Sequence, residues 1–193
     1  MHLLAAQPGT IADGAAAVEL GQTPGEIVVL SAADSEIACL AAAQRRLVAG
    51  DPAWPSLRLA SLLALGHNYS VDRYAESVLA QARLIVVRLL GGAGYWRYGV
   101  ERVADLARAR GIGLALLPGD DQPDAELTAL STVPADGAHR LWRYLAEGGA
   151  GNAAEFLRYA ASLIGRPTSW REPAPLLRAG LYWPGGEAVT FET

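Results

Sequence analysis

Short apolar runs of strand length alternate along this chain with longer stretches in which apolar residues recur every three or four positions. That pattern predicts a parallel sheet covered by helices on both faces, because buried parallel strands read as near-continuous apolar runs and their crossovers as amphipathic helices. The first such run is HLLAAQ, residues 2–7, closed by Pro8-Gly9. A short helix follows in IADGAAAVELGQ, packed through Ile11, Ala15 and Val18 and stopped by Pro24-Gly25. EIVVLSA is the second strand.

Asp34 and Ser35 both suit an N-cap, and SEIACLAAAQRRLVAG places Ile37, Leu40, Ala41 and Leu47 on one helical face up to Gly50. Past the turn DPAWPS, the segment LRLASLLALG predicts a third strand, with length enough to admit a short helix. Ser70 then reads as the cap of VDRYAESVLAQA, whose Val71, Tyr74, Ala75, Val78, Leu79 and Ala82 form a stripe that must be buried. RLIVVRLL has the composition of a central parallel strand; paired glycines lead from it into a helix buried through Val100, Val103, Leu106 and Ala107. Gly111 ends that helix, and IGLALLPG closes the alternation at Gly119-Asp120-Asp121.

Five strands in this order predict an α/β, flavodoxin-like doubly wound sheet over residues 1–122, with ligands expected beyond the carboxyl ends of its strands. A helical extension spans 123–165, with helices over 136–147 and 152–165; the second buries Phe156, Leu157, Ala160, Leu163 and Ile164. Residues 166–178 are proline-rich and read as a linker, and 179–193, with RAGLYWPGG across its start, as the beginning of a following domain.

Composition narrows the chemistry. All sixteen basic residues are arginine, so a P-loop lysine, a Schiff base and an amine nucleophile are excluded within this sequence. The net charge of −4 without a basic cluster argues against nucleic acid and anionic membranes, and no apolar run has the length of a membrane span; a soluble, cytoplasmic protein is expected. Cys39, the single cysteine, lies in a helical pattern and reads as a small core residue.

The turn LLGGAGYWRYGVERV sits between a strand and a helix but has neither G-x-G-x-x-G nor G-x-x-x-x-G-K-[ST]. Tyr95 and Trp96 would crowd a pyrophosphate, whereas they suit stacking on a flat conjugated ring. The plainer reading is an architectural turn. Arg88, inside an apolar strand, needs a partner: an internal acid such as Asp72, Asp120 or Asp121, or an anionic ligand. His67 in LGHNYS could touch a metal or substrate, but no second ligand stands at metal-site spacing, which favours a hydrogen-bonded loop histidine. Asp34 with Glu36 and Asp120 with Asp121 invite an acid/base or Mg²⁺ role, for which caps and solvated turns are the cheaper account. Ser31 and Ser35 lack a nucleophile elbow.

Four strings in order, LGQTPGEIVVLSAADSE, LLGGAGYWRYGVERV, ALLPGDD followed by LSTVP, and RAGLYWPGG, resemble the N-terminal part of the CobN family, the large subunits of aerobic cobaltochelatase, which are related to the magnesium chelatase large subunit. The resemblance implies insertion of Co²⁺ into hydrogenobyrinic acid a,c-diamide during aerobic cobalamin biosynthesis. It implies AAA+ ATPase partner subunits that hydrolyse ATP-Mg²⁺, with no cofactor bound by this piece. Metal insertion belongs to later parts of such proteins, so no catalytic residue carries over. His67, Arg88, Tyr95 and Trp96 become candidates for one wall of the tetrapyrrole site, since arginine and aromatic groups at strand ends suit a flat, anionic macrocycle. The alternative is a module that docks neighbouring domains or the ATPase subunits without touching substrate. A flavin-binding role rests on fold analogy alone and lacks a Ser/Thr-rich phosphate loop.

Overall fold

A computed structural model describes residues 17–175. Four strands form one parallel sheet: β1 (Ile27–Ser31), β2 (Leu57–Ser61), β3 (Leu84–Leu89) and β4 (Gly113–Pro118), in the order β2-β1-β3-β4. This is the order of a flavodoxin-like sheet through its fourth strand. The expected strand over 2–7 and the domain start over 179–193 lie outside the described residues. The expected helix ending at Gln22 has no regular structure over its described part, residues 17–22.

Strand alternation assigns the two cores. Val28, Leu30, Ile85, Val87, Leu89, Leu114 and Leu116 point to one face and meet α2 (Asn68–Ser77) and α3 (Arg97–Arg110). Ile27, Val29, Leu84, Val86, Ala115 and Leu117 point to the other, beneath α1 (Asp34–Gly50), α5 (Ala135–Glu147) and α6 (Gly149–Leu163). The helical extension therefore packs on the sheet. It also contains a short helix that periodicity did not predict, α4 (Ala125–Leu130), capped by Asp124 through a 3.0 Å bond from the Leu127 amide. No helix among the described residues is long and apolar enough to cross a membrane.

Three local expectations are corrected. Ala33, not Asp34 or Ser35, is the N-cap of α1; Ser31 Oγ takes the Ala33 amide at 3.0 Å, while Asp34 and Glu36 stand in the first turn, where the helix dipole favours acids. The third strand stops at Ser61 and the chain tightens into a 3-10 turn over Leu62–Leu65. Helix α2 begins before Ser70: its cap is His67, whose Nδ1 accepts the Tyr69 amide at 3.1 Å, and Ser70 is buried, with its Oγ accepting from the Val18 amide at 2.8 Å.

Both sheet edges are covered. Along β2, Gln22 Nε2 donates to the Leu59 carbonyl at 2.9 Å, and Arg58 donates to Thr23 through Nε and Nη2. Along β4, the Leu114 amide donates to Thr132 Oγ1 at 2.7 Å and the Leu116 amide to Ser131 Oγ at 2.9 Å, so hydroxyls stand in for a fifth strand. Thr132→Val keeps the shape and removes the acceptor of a buried amide, and is expected to cost about 1–3 kcal/mol in urea unfolding. An unchanged midpoint would show that the edge needs no such partner.

Candidate functional site

The sheet order reverses direction between β1 and β3, with α1 on one face and α2 on the other, so the carboxyl ends of these two strands are where a crevice is expected. Arg88 lies there, the fifth of six residues in β3, and register places it beside Ser31 at the end of β1. Its guanidinium pairs with Glu36 of α1 through Nη1 and donates through Nη2 to the Gly119 carbonyl at 3.1 Å. The second Glu36 oxygen accepts from Ser31 Oγ at 2.7 Å. The arginine and glutamate side chains are only 10% and 16% exposed.

Burial pushes the Arg88 pKa down, opposed by the nearby charge of Asp120. The group nonetheless stays charged, as arginine does in proteins. Its ion-pair partner is Glu36, which sequence order did not suggest; of the acids it did, Asp120 adds only its nearby charge, and Asp72 is held by Tyr98 (2.7 Å to the phenol oxygen) and Arg102 (2.9 Å), two bonds that hold its carboxyl below the usual range. Glu36 stands 52 residues from Arg88. The one available signal was that a helix starting just past β1 brings its first turn to that strand end.

The remaining candidates sit at the same edge, on the opposite face. Trp96 closes the 3-10 turn Ala93–Trp96 with its ring packed into the α2–α3 core, 7% exposed, and its indole N–H bonded to the Leu65 carbonyl at 2.8 Å. It supports the edge instead of presenting a ring to a ligand. Gly99 explains how it fits: any Cβ there would fall inside the indole, so only glycine lets the ring lie across the first turn of α3. Gly92, at φ +70°, turns the chain from β3 into this segment.

Tyr95, by contrast, is 50% exposed. The segments that follow β2 and β3, joined by the Trp96–Leu65 bond, also expose Leu63, Leu90, and Tyr69 and Tyr98 in the first turns of α2 and α3. Five of the seven large hydrophobic side chains exposed among the described residues thus lie between β2 or β3 and the first turn of the helix that follows it. Among them only Tyr95, in the glycine turn after β3, stands out in the sequence. His67, partly exposed, caps α2 within this group. The structure thus joins His67, Tyr95 and Trp96 on one side of the edge, and sets Arg88 on the α1 side with its charge already matched.

The edge offers flat apolar surface and phenol hydroxyls, with Arg97 beside Tyr95 largely exposed and only loosely paired to Glu101 at 3.8 Å. It can stack and hydrogen-bond. Among the described residues no group of three or more His, Cys, Asp and Glu side chains could hold a metal ion. On the α1 side, a mostly apolar cavity of about 230 Å³ opens between Glu36, Cys39, Tyr144 and Gly148.

No protein-family model matches the chain. It is 50% identical over 189 residues to the aerobic cobaltochelatase subunit CobN of Sinorhizobium sp., a match covering 98% of this chain and 14% of that protein. With the CobN subunit of Pseudomonas aeruginosa it shares 48% identity over 193 residues, covering 100% of this chain and 15% of that one. The chain thus spans about one seventh of the length of the curated relatives it matches. Among solved structures, the catalytic subunit of cobaltochelatase from Mycobacterium tuberculosis superimposes with a TM-score of 0.64 and 26% identity, over 82% of this chain and 12% of that one.

Proposed function

We propose that this chain, a member of the CobN family that matches the N-terminal part of those subunits, forms a non-catalytic domain of an aerobic cobaltochelatase and borders the tetrapyrrole with its carboxyl edge. In this reading the complete enzyme inserts Co²⁺ into hydrogenobyrinic acid a,c-diamide in the cytoplasm, driven by ATP-Mg²⁺ hydrolysis on AAA+ partner subunits. The relatives' names supply the reaction class. The chain's own contribution rests on one observation: Tyr69, Tyr95 and Tyr98, with Leu63 and Leu90, are exposed on the segments that follow β2 and β3, at the edge where a doubly wound sheet receives ligands.

A conjugated macrocycle gains from such a surface because its face is apolar and its arms carry amides and carboxylates. Tyrosine supplies both an apolar ring and a hydroxyl. Arg97 adds an exposed cation at the rim, only loosely paired with Glu101 and suited to a carboxylate arm. Of the four residues singled out by sequence, Tyr95 is the direct contact and His67 stands at the rim. Trp96 and Arg88 hold the two sides of the edge in place.

The test is titration of the full-length subunit with hydrogenobyrinic acid a,c-diamide, followed by absorbance. Replacing Tyr69, Tyr95 and Tyr98 together by alanine is expected to weaken binding at least tenfold, or about 1.4 kcal/mol. Unchanged affinity sinks the reading. One observation favours a second: Arg88 is fully engaged by Glu36 and Gly119, so the exposed surface is mainly apolar, as a protein interface also is. Unchanged affinity combined with lost assembly of the ATPase subunits would establish that alternative, a docking module.

A further inference from the structure

The proline-rich stretch after α6 has no regular secondary structure, as a linker would, yet it is bound to the rest of the domain at Arg166 and again from Trp170 to Ala174. Arg166 pairs with Asp51 and lies over the Trp54 ring at 5.5 Å. Trp170 meets Tyr159 edge to face at 4.8 Å, and the Arg140 guanidinium covers both rings, 4.8 Å from one and 5.1 Å from the other. Arg140 also donates to both carboxylate oxygens of Glu172 at 3.2 Å.

The deeper anchors are two buried polar side chains of α6. Glu155 accepts the Arg171 amide at 3.0 Å and its guanidinium at 3.0 and 3.2 Å, with Arg158 closing the carboxylate at 2.8 Å. Asn152 reads the main chain of Ala174 at both ends, donating from Nδ2 to its carbonyl at 2.7 Å and accepting its amide at Oδ1 at 3.0 Å. Tyr144 donates its hydroxyl to the Arg171 carbonyl, and Pro173 is buried. Buried amide and carboxylate groups are costly unless matched, and here the strap supplies much of the match, beside Arg158 and the Gly148 carbonyl. Pro167, Pro173 and Pro175 restrict the segment further, which lowers the entropy lost on docking.

We propose that residues 166–175 are a strap, so that the domain and this segment, through Pro175, turn as one body. This does not depend on which macrocycle or partner the domain meets. A hinge would leave the backbone around residues 170–174 solvated, whereas here that segment is held by both of its polar directions and by an aromatic stack.

The test uses the full chain with Cys39→Ser and spin labels on Arg46→Cys and Ala174→Cys, the latter keeping the main-chain bonds of that position. A single narrow distance distribution is expected. It should widen in Trp170→Ala, which changes only the strap side, and in Asn152→Ala, with helix content by circular dichroism confirming that both variants remain folded. Hydrogen exchange gives an independent reading: the Arg171 and Ala174 amides should be protected on the order of 100-fold relative to the free peptide. A broad distribution in the unaltered chain, a narrow one that neither variant widens, or unprotected amides would overturn the strap.

Discussion

Glu36→Ala is expected to destabilise the domain by about 3–5 kcal/mol, because it removes the paired carboxylate from a buried arginine and leaves only the nearby charge of Asp120. Arg88 cannot escape by losing its proton, as a buried lysine or histidine would. Its other bond, to the Gly119 carbonyl at 3.1 Å, supplies a dipole and no net charge. Ser31 is affected too, since its hydroxyl donates to Glu36 while accepting the Ala33 amide that starts α1. Removing the carboxylate therefore disturbs β1, β3 and α1 at one point.

The size of that loss does not measure what the pair contributes. Replacing both partners by apolar residues of similar volume, Glu36→Leu with Arg88→Met, is expected to come within about 1 kcal/mol of the unaltered chain, since desolvating two charges offsets much of their attraction. Urea unfolding of the two single variants and the double one forms the cycle that separates these effects. A Glu36→Ala cost below about 1 kcal/mol would show that solvent reaches Arg88 more freely than its burial implies.

The elements that could be read from sequence are those whose cause is local or periodic. The strands over 27–31, 84–89 and 113–118 follow from apolar runs that must be covered on both sides, and their alternating residues do divide between two cores. Gly111 ends α3 in the left-handed conformation, at φ +65°, as the pattern required. What stayed hidden depends on pairs far apart in the chain. Nothing near Arg88 identifies Glu36, and nothing near His67 shows that its ring caps a helix. The prolines of 166–175 carry the composition of a linker, and only the three-dimensional position of Asn152 and Glu155 turns that stretch into a strap. The string LSTVP shows both limits. It was informative as a resemblance, while its physical task, sealing the β4 edge with two hydroxyls, becomes visible only in the hydrogen bonds.

Trp96 is the second place where a large effect is expected, and the glycine beneath it makes the cause testable. Trp96→Ala should cost about 3–5 kcal/mol, the loss expected when a large buried aromatic leaves a cavity. Gly99→Ala should cost about 1–3 kcal/mol although alanine is the better helix former, because the added methyl displaces the indole from its seat. The two effects share one cause and so cannot add. With Trp96 already gone, Gly99→Ala is expected to be neutral or to stabilise by up to about 1 kcal/mol through helix propensity alone. If Gly99→Ala were equally harmful in both backgrounds, the glycine would be needed for some reason other than the ring. The same pair links stability to the proposed contact surface. Tyr95 precedes Trp96 in the chain, and the indole bond to the Leu65 carbonyl joins the turn bearing Tyr95 to the one bearing Leu63. Loosening Trp96 should therefore lower macrocycle affinity in the full-length subunit even where the variant remains folded, through loss of a common position for the exposed side chains and without removal of any of them.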